Sequence, residues 1–255
     1  MEQVQTIDGL LLAKMMRAGA ASLRAQVQTI NDLNVFPIPD GDTGSNMLLT
    51  TLGGVEKCGD GVGPVSEVAR HISDGMLRDA RRALGARDSR FSFAAFDCEK
   101  IPAPSESYDL VIANHVLFYC DNLENVCKEV RRVLKPGGRF LCSTYGNSHM
   151  KEISQLVSQF DERIVLSANK LYEKFGRENG AQVLEPWYSR VEWISYEDGL
   201  LVSDPEPLIS YILSCHGNQN QYLLDHYKEF RSFVKRKTEK GFHITKDAGI
   251  FICNY

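Results

Sequence analysis

A chain of 255 residues with 43% hydrophobic content can bury one large core or two small ones. Its net charge of -4, with acidic and basic residues interspersed, provides no basic stripe for a phosphate backbone, so nucleic acid is excluded as an expected partner and small-molecule chemistry is favoured. The 7 cysteines form no Cys-x-x-Cys pair, no basic-then-apolar leader opens the chain and no apolar run nears about 18 residues; reduced thiols, no membrane span and a cytoplasmic location are expected.

From Leu10 to Ile30, Leu12, Met16, Ala20, Leu23, Val27 and Ile30 recur at helical spacing, with Asp8 as N-cap and Gly19 as a weak point. A second helix is predicted from Ser45 to Val55, broken by the glycines of Gly59 to Gly63, and a third from Val65 to Leu84 with Gly75 as a weak point. After Gly85 the pattern changes. Phe91 to Phe96, Tyr108 to Ala113 and Arg139 to Ser143 read as buried strands, and Leu123 to Leu134 as an amphipathic helix between the last two. That spacing predicts a parallel crossover. Ser148 to Phe175 and Pro207 to Arg236 read as mostly helical, Val191 to Tyr196 as a strand, and His243 to Cys253 as a pair of short strands around Asp247-Ala248-Gly249.

Two stretches carry chemistry. Asn34-Val35-Phe36-Pro37-Ile38-Pro39-Asp40-Gly41-Asp42-Thr43-Gly44-Ser45-Asn46-Met47 combines carboxylates, a hydroxyl, an amide and glycines, a set suited to Mg²⁺ and nucleotide phosphates. It resembles the nucleotide-binding domain of dihydroxyacetone-kinase-type and fatty acid kinase enzymes over about Ile7 to Gly75. The resemblance implies Asp40 and Asp42 as metal ligands, Thr43 and Asn46 facing phosphate with Asn34 assisting, and Mg²⁺ with ATP at this loop.

Phe96-Asp97-Cys98-Glu99-Lys100-Ile101-Pro102, Tyr108-Asp109-Leu110-Val111-Ile112 with Asn114-His115, and Val133-Leu134-Lys135-Pro136-Gly137-Gly138 are the other set. With Ile72-Ser73-Asp74-Gly75, they resemble class I S-adenosylmethionine-dependent methyltransferases over about Ile72 to Tyr255. The resemblance implies S-adenosylmethionine as cofactor, with Asp97 on the adenine amino group, the Cys98 amide beside it, and Asn114 and His115 lining the methionine end. His115 is the candidate base, ahead of His216 and Tyr119; Trp187, Tyr188 and Trp193 could wall the acceptor pocket. Asp109 reads as a strand-start residue.

The first strand, its glycine-rich turn and the ribose-binding carboxylate of that family are missing. His71 stands where the carboxylate is expected, and Gly59-Asp60-Gly61-Val62-Gly63 follows no strand, so it reads as a loop between helices. The expected architecture is α/β: a Rossmann-like methyltransferase sheet lacking its first strands (72–255), preceded by an all-helical segment (1–71). The expected function is methyl transfer to a small-molecule acceptor; the alternatives are a Mg²⁺-nucleotide kinase-type protein and an inactive fusion product joined near Ile72 to Gly75.

Overall fold

A computed structural model describes residues 7–33, 43–77, 81, 89–166, 170–215, 217 and 219–255. The chain divides into two compact units, Met1–Phe96 and Asp97–Tyr255. No helix among the described residues is long and apolar enough to cross a membrane.

The first unit is helical: α1 (Gly9–Leu33), α2 (Thr43–Cys58) and α3 (Val65–Met76). Asp8 caps α1 as expected, its Oδ1 accepting from the Leu11 amide at 2.7 Å. Ala13, Cys58, Val68 and Ile72 form a small core. Glycines permit the close packing. A Cβ on Gly75 would stand 2.0 Å from the Gly53 carbonyl oxygen, so Gly75 lets α3 touch α2 and is more than the weak point its helix propensity suggests. Past Leu77, the expected third helix lies outside the described residues apart from Arg81. Arg81 pairs with Asp74 at 2.6 Å and lies over the Phe93 ring.

The strand expected at Phe91 to Phe96 does not form; the segment is irregular and Phe96 is 53% exposed. Its apolar run resembles a buried strand, but among the described residues no neighbouring strand pairs with its backbone groups.

The second unit holds a mixed four-stranded sheet of order β1-β2-β4-β3, with β1 (Tyr108–Asn114), β2 (Leu134–Tyr145), β3 (Arg190–Val202) and β4 (Phe242–Asn254). Strands β1 and β2 are parallel, joined through α4 (Leu123–Val133), the predicted crossover. The helix starts where Asn122 Oδ1 accepts from the Asn125 amide and carries Arg131 and Arg132 in its last turn, favourable ends for its dipole. The Lys135 to Gly138 turn becomes an irregularity in β2: the register jumps from Tyr108↔Leu134 to Leu110↔Arg139, with Gly137 at φ 80°. At the strand start, Asp109 binds the Lys135 ammonium.

β4 runs antiparallel to both β2 and β3. Asp247-Ala248-Gly249 is therefore no turn; it pairs with Ser195 to Glu197 inside one long strand. Gly249 is needed because a Cβ there would meet the Ile194 carbonyl and the Trp193 ring. Between β2 and β3 come α5 (Lys151–Phe160), α6 (Leu171–Lys174) and α7 (Gly180–Leu184); between β3 and β4 come α8 (Pro205–Ser214), α9 (Gln219–Asp225) and α10 (Tyr227–Thr238).

One core places Phe140, Cys142, Phe251 and Cys253 of the sheet against Val126, Val130, Phe175 and Leu184. The other gathers Ile153, Leu156 and Val157 with Leu208, Ile212, Phe230, Val234 and Ile244. β1 is an edge strand, and its Leu110 and Ile112 are 45% and 55% exposed on the sheet face opposite Val111 and Ala113. Parallel strands are ordinarily covered on both faces; among the described residues no strand pairs with the free side of β1.

Candidate active site

At the carboxyl ends of β1 and β2, where open α/β sheets bind ligands, lies a cleft of about 870 Å³. β1 ends at Asn114, and His115 turns the chain with φ 50°, its amide donating to the Ser143 carbonyl at 3.3 Å and to Ser143 Oγ at 3.1 Å. The Ser143 hydroxyl donates to Asn114 Oδ1 at 3.4 Å. A short 3₁₀ turn, Leu117–Tyr119, then brings Phe118 and Tyr119 into the wall.

Tyr145, the last residue of β2, is the hub of the cleft. His115 stacks beside its ring at 6.4 Å, Phe118 and Tyr172 meet it edge-on at 5.6 and 6.1 Å, and His149 lies 5.3 Å away. Tyr211 from α8 closes another side. Burial raises the Tyr145 phenol above its ordinary range, with Tyr119 and Tyr172 adding to the effect. Burial also pushes Tyr211 up to about 12, so both hydroxyls keep their protons at neutral pH.

The turn after Tyr145 is anchored by a buried carboxylate. Asp247 pairs with Arg177 at 2.8 Å and accepts from the Ser148 amide at 3.3 Å. His149 follows, its Nδ1 buried without a hydrogen-bond partner among the described residues. Burial holds its imidazole below 6.5; Asp247 opposes that shift, while His115 and Lys246 add to it. The unfolded chain therefore takes up a proton near pH 6.5 that the folded chain refuses until lower pH, so stability falls as pH drops below about 6.5. His149→Gln is expected to flatten this dependence in urea unfolding between about pH 7.5 and 5.

Asp97 tips a tight turn, with its Oδ1 accepting from the Glu99 amide and its carbonyl from the Lys100 amide, both at 2.9 Å. Glu129 fixes the end of this turn by accepting from the Ile101 amide at 2.8 Å, and the Arg132 guanidinium holds its carboxyl down to about 2. Glu99 reaches across to the Asn122 amide at 2.7 Å, and Cys98 lies against Cys120 just past the 3₁₀ turn. The structure thus brings Cys98 to the segment bearing Phe118 and Tyr119 and sets His115 in the cleft wall, while Asn114, at the end of β1, meets Ser143.

Trp187, Tyr188 and Trp193 are not cleft residues. They belong to the core with Phe140 and Phe251, where aromatic side chains at this spacing fill volume. His216 lies outside the described residues. Tyr145, His149, Tyr172 and Tyr211 were not anticipated; the legible signal was Tyr145-Gly146-Asn147, a strand followed at once by a turn.

In the helical unit, Thr43 opens α2 and Asn46 is exposed on its first turn, while Asn34, Asp40 and Asp42 lie outside the described residues. Gly44 packs against the Val27 carbonyl of α1, and Asn31 Oδ1 accepts from the Ser45 amide at 3.0 Å. Gly61 and Gly63 pack on Gly9, so the Gly59 to Gly63 run joins two helices, as read. His71 sits in α3 with Nε2 2.9 Å from Arg70 Nη2.

Residues 60–142 match the family model of a methyltransferase domain. Uncharacterized proteins of Staphylococcus aureus strains USA300 and NCTC 8325 are 35% identical over 111 residues, 43% of this chain; the matched stretch spans 20% of the length of those relatives. Among solved structures, the YcgJ protein of Bacillus subtilis is similar with a TM-score of 0.41 at 13% identity, covering 72% of this chain and 77% of its own. A phosphoethanolamine N-methyltransferase 2 of Haemonchus contortus has a TM-score of 0.42 at 15% identity, covering 99% and 61%. Both superpositions are loose; the match over residues 60–142 is the finding that agrees with the methyltransferase resemblance read in the sequence.

Proposed function

We infer that the Asp97–Tyr255 unit serves a methyltransferase-like function, binding S-adenosylmethionine and directing its methyl group to a small-molecule acceptor in the cleft. The observation that carries the reading is the match over residues 60–142, a segment that supplies β1, α4 and most of β2 and brings His115, Phe118 and Tyr119 to the cleft wall. The residues fit the cofactor in part. An exposed Asp97 carboxylate on a fixed turn suits an amino group, and Asn114 and His115 offer polar atoms at the strand end. The glycine run between α2 and α3 and His71 do not supply a glycine-rich turn or a ribose carboxylate, so weak affinity is expected.

When bound, S-adenosylmethionine supplies an electrophilic methyl group on a sulfonium. This chain's own part is to hold and orient. The aromatic walls around Tyr145 exclude water and position an acceptor, the main source of rate for an in-line displacement. The imidazole of His115 at the cleft, or that of His149, can take a proton from an acceptor that must lose one.

Calorimetric titration tests the reading. S-adenosylmethionine is expected to bind, and Asp97→Ala to weaken binding about tenfold or more through loss of a charge-assisted hydrogen bond. No heat with the unsubstituted chain, or binding indifferent to Asp97→Ala, would overturn it.

A further inference from the structure

The Sγ atoms of Cys98 and Cys120 lie 3.2 Å apart in the Asp97–Tyr255 unit, in contact but unbonded. The segments on both sides are already tied together. Glu99, next to Cys98, accepts from the amide of Asn122, two residues past Cys120, at 2.7 Å; within its own segment the Cys120 amide caps the 3₁₀ turn by donating to the Leu117 carbonyl at 3.1 Å. A disulfide needs about 2.05 Å between sulfurs, so closure requires a relative shift of roughly 1 Å within an anchored pair.

Access distinguishes this pair from the other thiols of the unit. Cys127, Cys142 and Cys253 are sealed in the core at 0–1% exposure, whereas Cys98 is only half-buried. Cys215 is half-buried too, but its Sγ lies 3.5 Å from the Tyr211 carbonyl. An oxidant therefore reaches Cys98, with Cys120 directly behind it.

We propose that Cys98 and Cys120 form a redox-active dithiol, a modification site that closes to an intramolecular disulfide by exchange with a small disulfide such as oxidised glutathione. Cys98 gives its proton to solvent, and its thiolate attacks one sulfur of the oxidant. That S–S bond breaks, one small thiolate leaves and is protonated, and a mixed disulfide stands on Cys98. Cys120 then loses its proton to solvent, attacks Cys98 Sγ and expels the second small thiol. The balance is two protein thiols oxidised by two electrons and one small disulfide reduced to two thiols. Burial and the neighbouring Cys98 hold the Cys120 thiol up to about 12, so the second step is slow at neutral pH and quickens as pH rises. The cross-link would tie the Asp97 turn to the segment carrying Phe118 and Tyr119.

The test is a peptide map of the full chain, folded and incubated with oxidised glutathione near pH 8, then alkylated and cut with trypsin and Glu-C. Cleavage after Glu124 separates Cys120 from Cys127. A Cys98–Cys120 linked peptide is expected, with two of the 7 thiols lost and restored by dithiothreitol. Cys120→Ser is expected to stop at a glutathione adduct on Cys98, and Cys98→Ser to leave Cys120 a free thiol. Retention of all thiols, a stable adduct on Cys98 of the unsubstituted chain, or linkage of a different pair would overturn the proposal. The map of the unsubstituted chain decides it even where a serine variant does not fold.

Discussion

Truncating Phe251 to alanine is expected to destabilise the C-terminal unit by about 3–5 kcal/mol, the range for emptying a fully buried aromatic site. Phe251 is 1% exposed, on a strand whose backbone is held on both sides by β2 and β3. Its ring lies 4.7 Å from Trp193 and 5.9 Å from Phe175, and it packs so closely on Gly180 that a Cβ there would collide with it. Collapse around the void is resisted because these partners are themselves fixed by strand pairing and α7. Both tryptophans, Trp187 and Trp193, belong to this unit, so the midpoint of urea unfolding followed by fluorescence reports it directly. Leu201→Ala, at a side chain 74% exposed, is expected to change stability by no more than about 0.5 kcal/mol. Equal midpoint shifts for the two variants would contradict the packing described for the sheet.

The same strand shows how far local pattern reaches. Phe251 and Cys253 alternate on one face of β4 and Ile244 lies on the other, but the Asp-Ala-Gly triplet between them has turn composition and suggests two strands. What decided the outcome was a long-range fact, the need for Gly249 under the Trp193 ring, which is fixed only once β3 and β4 are paired. Phe91 to Phe96 is the converse case. Its apolar content is that of a strand, but pairing requires a neighbour, and composition alone cannot show whether one is in place.

The candidate site was legible where it follows a strand end directly. His115 directly follows the end of β1 and lines the cleft; Tyr145, which closes β2, carries no comparable local signal, although it is the residue on which the cleft centres. Tyr172 and Tyr211 come from helices distant in sequence, and only folding brings them to Tyr145. The Trp187, Tyr188 and Trp193 cluster misled for a related reason: aromatic spacing says that the residues share a neighbourhood, while burial decides whether it is a cavity or a core.

In the helical unit, replacing Gly75 and Gly19 by alanine should give effects of opposite sign. Helix propensity alone favours alanine over glycine at both positions by about 1 kcal/mol. At Gly19 a Cβ would meet nothing within 4 Å, so Gly19→Ala is expected to stabilise α1 by up to about that amount. At Gly75 a Cβ would stand 2.0 Å from the Gly53 carbonyl oxygen and 2.9 Å from the Lys57 Cβ, and the first obstacle is backbone, which cannot rotate aside as a side chain would. α3 must then move off α2, opening the small core of Ala13, Cys58, Val68 and Ile72, and the expected net loss is about 1–3 kcal/mol. With both tryptophans in the other unit, the effect should be seen in helical circular dichroism, with the fluorescence midpoint unchanged where the two units unfold independently. A stabilising Gly75→Ala would mean that α2 and α3 do not cross at these glycines, because propensity would then be the only term left to act.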